Sequence, residues 1–240
     1  MPRQLKDATV VVLGGSSGIG LATAQAVLSE GAAVVIGSRS RANLDAARER
    51  LRDLVAAYEV DMTDEASVEG FFDRIDSVDH LFIPAAELPG GNVRTTDATS
   101  LRPAIDSRFW GSFYATKYAI PRLAQSGSIT YCSGISTVKA FPGEAVVAAS
   151  CAAVESLART LAVELAPIRV NTICPGVIDT SLLAKYWGDR LEEVRETFAQ
   201  TLPVKRLGRP EDVAHAVVFL MENEFVTGTV LYVDGGHAVI

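Results

Sequence analysis

Near its start the chain runs Thr-Val-Val-Val-Leu (residues 9–13) directly into Gly14-Gly15-Ser16-Ser17-Gly18-Ile19-Gly20, and a helix-forming stretch follows. A continuous apolar run of this length that stops at glycine reads as a strand buried on both faces. Glycines this closely spaced allow a turn too tight for side chains. The N–H groups that open the next helix then face outward, with the positive end of the helix dipole behind them. Such a turn suits a pyrophosphate, and Ser16 and Ser17 add hydroxyl donors. Strand, glycine turn and helix in this order commit the chain to a parallel sheet.

The remaining sequence supplies that sheet. Apolar runs closed by glycine, proline or a polar residue fall at 9–13, 33–36, 56–59, 80–84, 127–132, 168–173 and 229–233. Helical patterns occupy 18–30, 41–54, 66–74, 100–123, 145–165 and 210–221. The alternation predicts one α/β domain over residues 1–240, a Rossmann-type doubly wound parallel sheet with helices on both faces. With 48% hydrophobic residues, a chain of 240 can bury a core without disulfide or metal. A net charge of −7 and the lack of any long Lys/Arg run exclude a nucleic-acid surface. Cys132, Cys151 and Cys174 are odd in number and stand at no ligand spacing from His80, His215 or His237, so a reducing cytoplasm and no metal are expected. The N-terminal region carries no long apolar run, so no membrane association is expected.

Residues 181–200 interrupt the last strand–helix alternation. Leu183, Trp187, Leu191, Val194 and Phe198 recur at helical spacing. An insertion after a strand's carboxyl end lies over the ligand crevice of a doubly wound sheet. The segment is therefore either a substrate lid presenting Tyr186 and Trp187 or an ordinary amphipathic helix closing the core.

The glycine turn, Asp61 in VDMTD, the stretch RVNTICPGVIDT (169–180), RLGRPEDVA (206–214) and VTGTVLYVDGG (226–236) together resemble the short-chain dehydrogenase/reductase family, in the family's order along the chain. The resemblance implies a nicotinamide dinucleotide held by Gly14, Ser16, Ser17, Gly18, Ile19 and Gly20 at the pyrophosphate. It implies Asp61, Met62 and Ala85 around the adenine side, and Pro175, Gly176, Ile178 and Thr180 over the nicotinamide. It also implies a homodimer or homotetramer built on the helices at 100–123 and 145–165. At the end of the second strand, where NAD-dependent relatives carry an acid, this chain has Ser38 followed by Arg39. An arginine can pair bidentately with a 2′-phosphate, which favours NADP(H) over NAD(H); the alternative is that Arg39 stacks on adenine or points to solvent.

The resemblance fails where the chemistry should be. Aligned with the family's active-site helix, AVVAASCAAVESLARTLAVELA puts Val147 at the tyrosine and Cys151 at the lysine; Gly134 falls at the serine and Arg108 at the asparagine. Ile83-Pro84-Ala85-Ala86 replaces the family's Asn-Asn-Ala-Gly. A valine cannot exchange a proton, so the tyrosine mechanism is not expected. Weak catalytic candidates remain. Arg108 can bind an anion, or it can cap carbonyls of its own bent helix or pair with Asp106 or Glu144. Cys151 is either a thiol activated by its helix N-terminus or a small core residue. Ser133, with Ser136 and Glu144, lies near the expected mouth. Two functions stay open: an NAD(P)(H)-dependent oxidoreductase with a non-standard or substrate-assisted proton relay, and a catalytically inactive NADP(H)-binding sensor or partner subunit.

Overall fold

The structure is a computed structural model that describes residues 5–240, except for the side chains of Lys185 and Tyr186. Seven strands pair in parallel in the order β3-β2-β1-β4-β5-β6-β7. They are β1 (Thr9–Leu13), β2 (Ala33–Ser38), β3 (Ala56–Glu59), β4 (Val78–Ile83), β5 (Leu123–Cys132), β6 (Arg169–Pro175) and β7 (Val230–Val233). Chain order reverses between β1 and β4, which opens the crevice that doubly wound sheets use for ligands. The central strands are buried on both faces, and each face has its own apolar cluster: one gathers Phe71, Leu81, Tyr131 and Val154, the other Val12, Ile36, Phe82 and Val217. These clusters lie under helices α1 (Gly18–Ser29), α2 (Arg41–Arg50), α3 (Glu65–Phe72), α5 (Gly111–Ala119), α6 (Ala145–Glu164) and, after two further helices, α9 (Pro210–Glu222), while α4 (Ala98–Ile105) packs on α6 through Ala104.

Two helical expectations need correction. The stretch at 100–123 is not one helix: α4 and α5 are separated by a π-helical turn, Asp106–Trp110, and the chain leaves α5 at Ala119. Pro103 lies inside α4, and the Ser107 hydroxyl donates to the Pro103 carbonyl at 2.6 Å. That side-chain bond competes for the carbonyl a regular helix reserves for the N–H four residues on, and a widened turn results. Leu123 is consequently the first residue of β5. The 181–200 segment is likewise two helices, α7 (Ser181–Trp187) and α8 (Leu191–Thr201). Gly188, with φ of 52°, turns the chain between them, a backbone conformation that penalises a Cβ.

By length and hydropathy α6 alone among the described helices could cross a bilayer. It packs on β5, β6 and α4, and length and composition are shared by core helices.

Candidate functional site

The carboxyl ends of β1, β2 and β4 frame a cleft of about 330 Å³. Gly14 turns with φ of 100°, and a Cβ there would come within 3.1 Å of Ala85, so the turn packs directly on the loop after β4. Gly18, at φ 51°, faces Thr180: its Cβ would lie 3.3 Å from the Thr180 methyl. Ser17 is the N-cap of α1, yet its side chain makes no capping bond. The first N–H groups of α1 are therefore not capped by it and can receive an anion. The Ser16 hydroxyl donates to Ser38 at 2.8 Å. Asp61 holds its own turn, accepting from the Thr63 N–H at 2.9 Å and the Thr63 hydroxyl at 2.8 Å. Met62 is buried beneath the start of α5, where a Cβ on Gly111 would press on its carbonyl.

Arg39 does reach this cleft, but in an ion pair with Glu87, a residue that sequence reasoning missed. The pair ties the loop after β2 to the loop after β4. Both side chains are partly exposed, so a dianionic phosphate can compete for the guanidinium.

The cleft continues into a second cavity of about 240 Å³; Ile19, Pro84, Ala86, Thr180 and Leu182 line both. Pro175, Gly176, Val177 and Ile178 form one wall. That loop is pinned to the segment before α9 by Asp179 N–H to Gly208 O at 2.8 Å and Gly208 N–H to Val177 O at 3.1 Å. Leu182, Leu183, Trp187 and Phe198 from α7 and α8 cover another side, so the inserted helices do reach the cavity. The side chain of Tyr186, the other aromatic expected to face it, lies outside the described residues.

The opposite wall holds Val147, Cys151, Gly134, Ser133 and Arg108 together. Among the described residues no tyrosine, lysine or histidine lines the cavity. Tyr131 is enclosed in the core, bonded to Thr116 at 2.6 Å and pushed to a high pKa by burial. Tyr118 bonds Glu65 at 3.0 Å, away from the cavity.

Three candidate roles change in the light of this wall. Arg108 caps neither its own helix nor Asp106 or Glu144. From the π-turn its Nη1 crosses to the end of β5 and donates to the Cys132 and Ser133 carbonyls, at 2.7 and 3.1 Å. Cys151 is not activated: burial raises its pKa, and the nearby Arg108 charge opposes that only in part. It stands in the second turn of α6, past the reach of the helix end, and is 1% exposed. The Ser133 hydroxyl donates weakly to the Ile173 carbonyl at 3.4 Å, a bond along the sheet. Glu144, at the start of α6, is the carboxyl on the cavity wall, and burial raises its pKa. No cluster that could hold a metal occurs among the described residues.

A doubly wound sheet with a glycine-turn cleft continuing into a half-open, mostly apolar cavity defines a dinucleotide-binding fold. The comparisons narrow it. The family model described as enoyl-(acyl carrier protein) reductase matches residues 14–238. The cis-4-hydroxycyclohexanecarboxylate dehydrogenase of Sinomonas cyclohexanicum is 36% identical over the whole of both chains. The 3-oxoacyl-(acyl-carrier-protein) reductase of Thermotoga maritima is 32% identical, over 98% of this chain and all of its own. A crystal structure of a small-chain dehydrogenase in complex with NADPH superposes with a TM-score of 0.85 at 34% identity, covering 98% of this chain and all of that one. The chain belongs to the short-chain dehydrogenase/reductase family, whose members bind nicotinamide cofactors.

Proposed function

We propose that this protein is an NADP(H)-dependent oxidoreductase acting on a small cyclic carbonyl or conjugated compound, with no tyrosine of α6 in its proton relay. The observation that carries the reading is the continuity of the cleft with a cavity walled by Val147, Gly134 and Cys151. The uncapped start of α1 with Gly14, Ser16, Ser17, Gly18, Ile19 and Gly20 would hold the pyrophosphate, and Asp61, Met62 and Ala85 the adenine side. Ser38 and Arg39 would take the 2′-phosphate. Pro175, Gly176, Ile178 and Thr180 would cover the nicotinamide, which supplies a hydride when bound. The chain's own residues position and dry the site. Leu182, Leu183 and Trp187 act as a lid that excludes water, and the rigid Pro175–Ile178 loop fixes the face presented to substrate. The proton comes from the substrate or from water, because valine at 147 has none to give. The ring-sized substrate agrees with the cavity volume and with the relative that acts on a hydroxycyclohexanecarboxylate. We further propose a cytoplasmic homodimer or homotetramer associating through the π-turn and α5, where Trp110 and Phe113 respectively stand exposed, and the small-residue face of α6.

One observation favours a second reading, an inactive NADP(H) sensor: no described side chain in the cavity matches the family's proton-handling tyrosine. The two separate on one experiment. NADPH deuterated at C4 is incubated with the protein and a panel of cyclic ketones and enones, and products are examined by mass spectrometry. Deuterium in a product supports the oxidoreductase. Micromolar NADPH binding with no label in any product supports the sensor and sinks the first reading.

A further inference from the structure

The cavity wall contains a buried arginine that forms no ion pair among the described residues. Arg108 is 5% exposed and carries a planar guanidinium with five N–H donors. Among the described residues its only hydrogen bonds leave from Nη1, to the Cys132 and Ser133 carbonyls. Nε is sealed off without a partner, and Nη2 has no acceptor among the described residues. Carbonyl dipoles satisfy some N–H groups but carry no net charge. A guanidinium with no ion-pair partner and an unbonded Nη2 on a cavity wall is suited to receive an anion. Glu144 does not serve: it forms no ion pair with Arg108, and burial alone shifts its carboxyl, with no contribution from the arginine. The Arg108 charge is instead felt by the Cys132 and Cys151 thiols, which line the same cavity. The π-turn is what aims the residue inward, since it places Ser107 and Arg108 on the buried side while Trp110 faces out.

We infer that Arg108 is the specificity-determining residue for a carboxylate on the substrate, which would take the guanidinium face that Nη1 leaves open. Much of the remaining lining is apolar, from Leu88, Val147, Leu183, Trp187 and Phe198, with Ser133, Ser136, Thr180 and Glu144 among its polar side chains. The substrate class is therefore a small alicyclic or aromatic acid whose ring lies against the apolar side chains and whose carboxylate meets the guanidinium. This deepens the reading above, because the acid would occupy the cavity that continues the dinucleotide cleft.

The test compares cyclohexanecarboxylate with cyclohexanecarboxamide, which share shape and differ in charge. Each is titrated by calorimetry into the free protein and into protein saturated with NADP+. A charge-assisted bond of about 1.5–3 kcal/mol makes the acid bind about 10–100-fold more tightly than the amide. Arg108→Met brings the acid down to the amide's affinity, Arg108→Lys keeps part of the difference, and Glu144→Gln leaves it unchanged. The acid–amide comparison needs only the wild-type protein, so a poorly folded Arg108→Met does not weaken it. Equal binding of acid and amide, no acid binding at millimolar concentration, or acid binding that appears only in Glu144→Gln would each overturn the assignment. A separate NADPH titration distinguishes the two levels: loss of cofactor binding refutes the dinucleotide reading, while the acid–amide difference on the free protein still judges Arg108.

Discussion

Replacing Gly20 by alanine tests whether the glycine turn, and not simply the helix after it, makes the cofactor site. Gly20 is the third residue of α1, where alanine has the better helix propensity by about 1 kcal/mol. Its added Cβ, however, would stand 2.1 Å from the Gly14 carbonyl oxygen and 2.8 Å from the carbonyl carbon. Both are backbone atoms of the turn, and the Gly14 N–H is itself held to the Gly37 carbonyl at 2.7 Å, so the turn cannot yield without breaking its tie to β2. Forced overpacking of this kind costs about 1–3 kcal/mol beyond the propensity gain. Gly70, in α3, is the control: an added Cβ there meets nothing within 4 Å, so alanine should stabilise by about 0.5–1 kcal/mol. For a domain of this size 1 kcal/mol moves the melting temperature by about 2–4 °C. Gly20→Ala should therefore melt about 2–12 °C lower and bind NADPH at least about tenfold more weakly. Gly70→Ala should melt about 1–4 °C higher with NADPH affinity unchanged. Thermal melts and calorimetric NADPH titrations read both. If the two variants behave alike, the close approach of α1 to Gly14 does not govern the site and the argument fails.

Two further outcomes follow from groups around the cleft. Arg39→Glu should cut NADPH affinity at least about tenfold while sparing NADH, and Glu87→Gln, which frees Arg39, should tighten NADPH; unchanged NADPH/NADH ratios in both variants would remove Arg39 from cofactor choice. Burial pushes the Cys132 thiol up to about 12 and Cys174 to about 11, and raises Cys151 as well. Raised pKa means less thiolate, so at pH 8 the native protein should react with Ellman's reagent far more slowly than the unfolded chain, with reactivity growing only as pH rises. Rapid labelling of Cys151 in the native protein would reinstate it as a nucleophile.

The sheet was legible because parallel strands buried on both faces read as unbroken apolar runs, and the paired strands begin and end close to the expected limits. The glycine turn was equally legible, because its function lies in backbone geometry that only glycine permits. What the sequence hid were distances set by tertiary packing. Pro103 was visible, but not that Ser107 would take its carbonyl and widen the helix into the π-turn carrying Arg108. Asp106 and Glu144 are near Arg108 in sequence or expected site, yet its partners are strand-end carbonyls from β5, 24 and 25 residues away. Glu87 gave no sign that it would meet Arg39, since neither residue has a motif around it. For Cys151 the sequence left both an activated thiol and a small core residue open, and burial, the larger effect on its thiol, favours the second.

The two halves of the crevice respond differently to sequence change for a physical reason. The dinucleotide half works through backbone N–H groups, a helix end and close glycine contacts, so many side-chain sets can keep it provided the glycines stay. The cavity half works through side chains, where one substitution changes the chemistry outright: Val147 offers the cavity no exchangeable proton, and Arg108 brings a guanidinium to its wall. Family membership therefore fixes the first half and leaves the second to be read from its own residues. Here those residues form a ring-sized, mostly apolar space with one buried arginine that lacks an ion-pair partner among the described residues. That constrains substrate more than mechanism, because an open guanidinium face favours an anionic group, whereas a proton can arrive by more than one route.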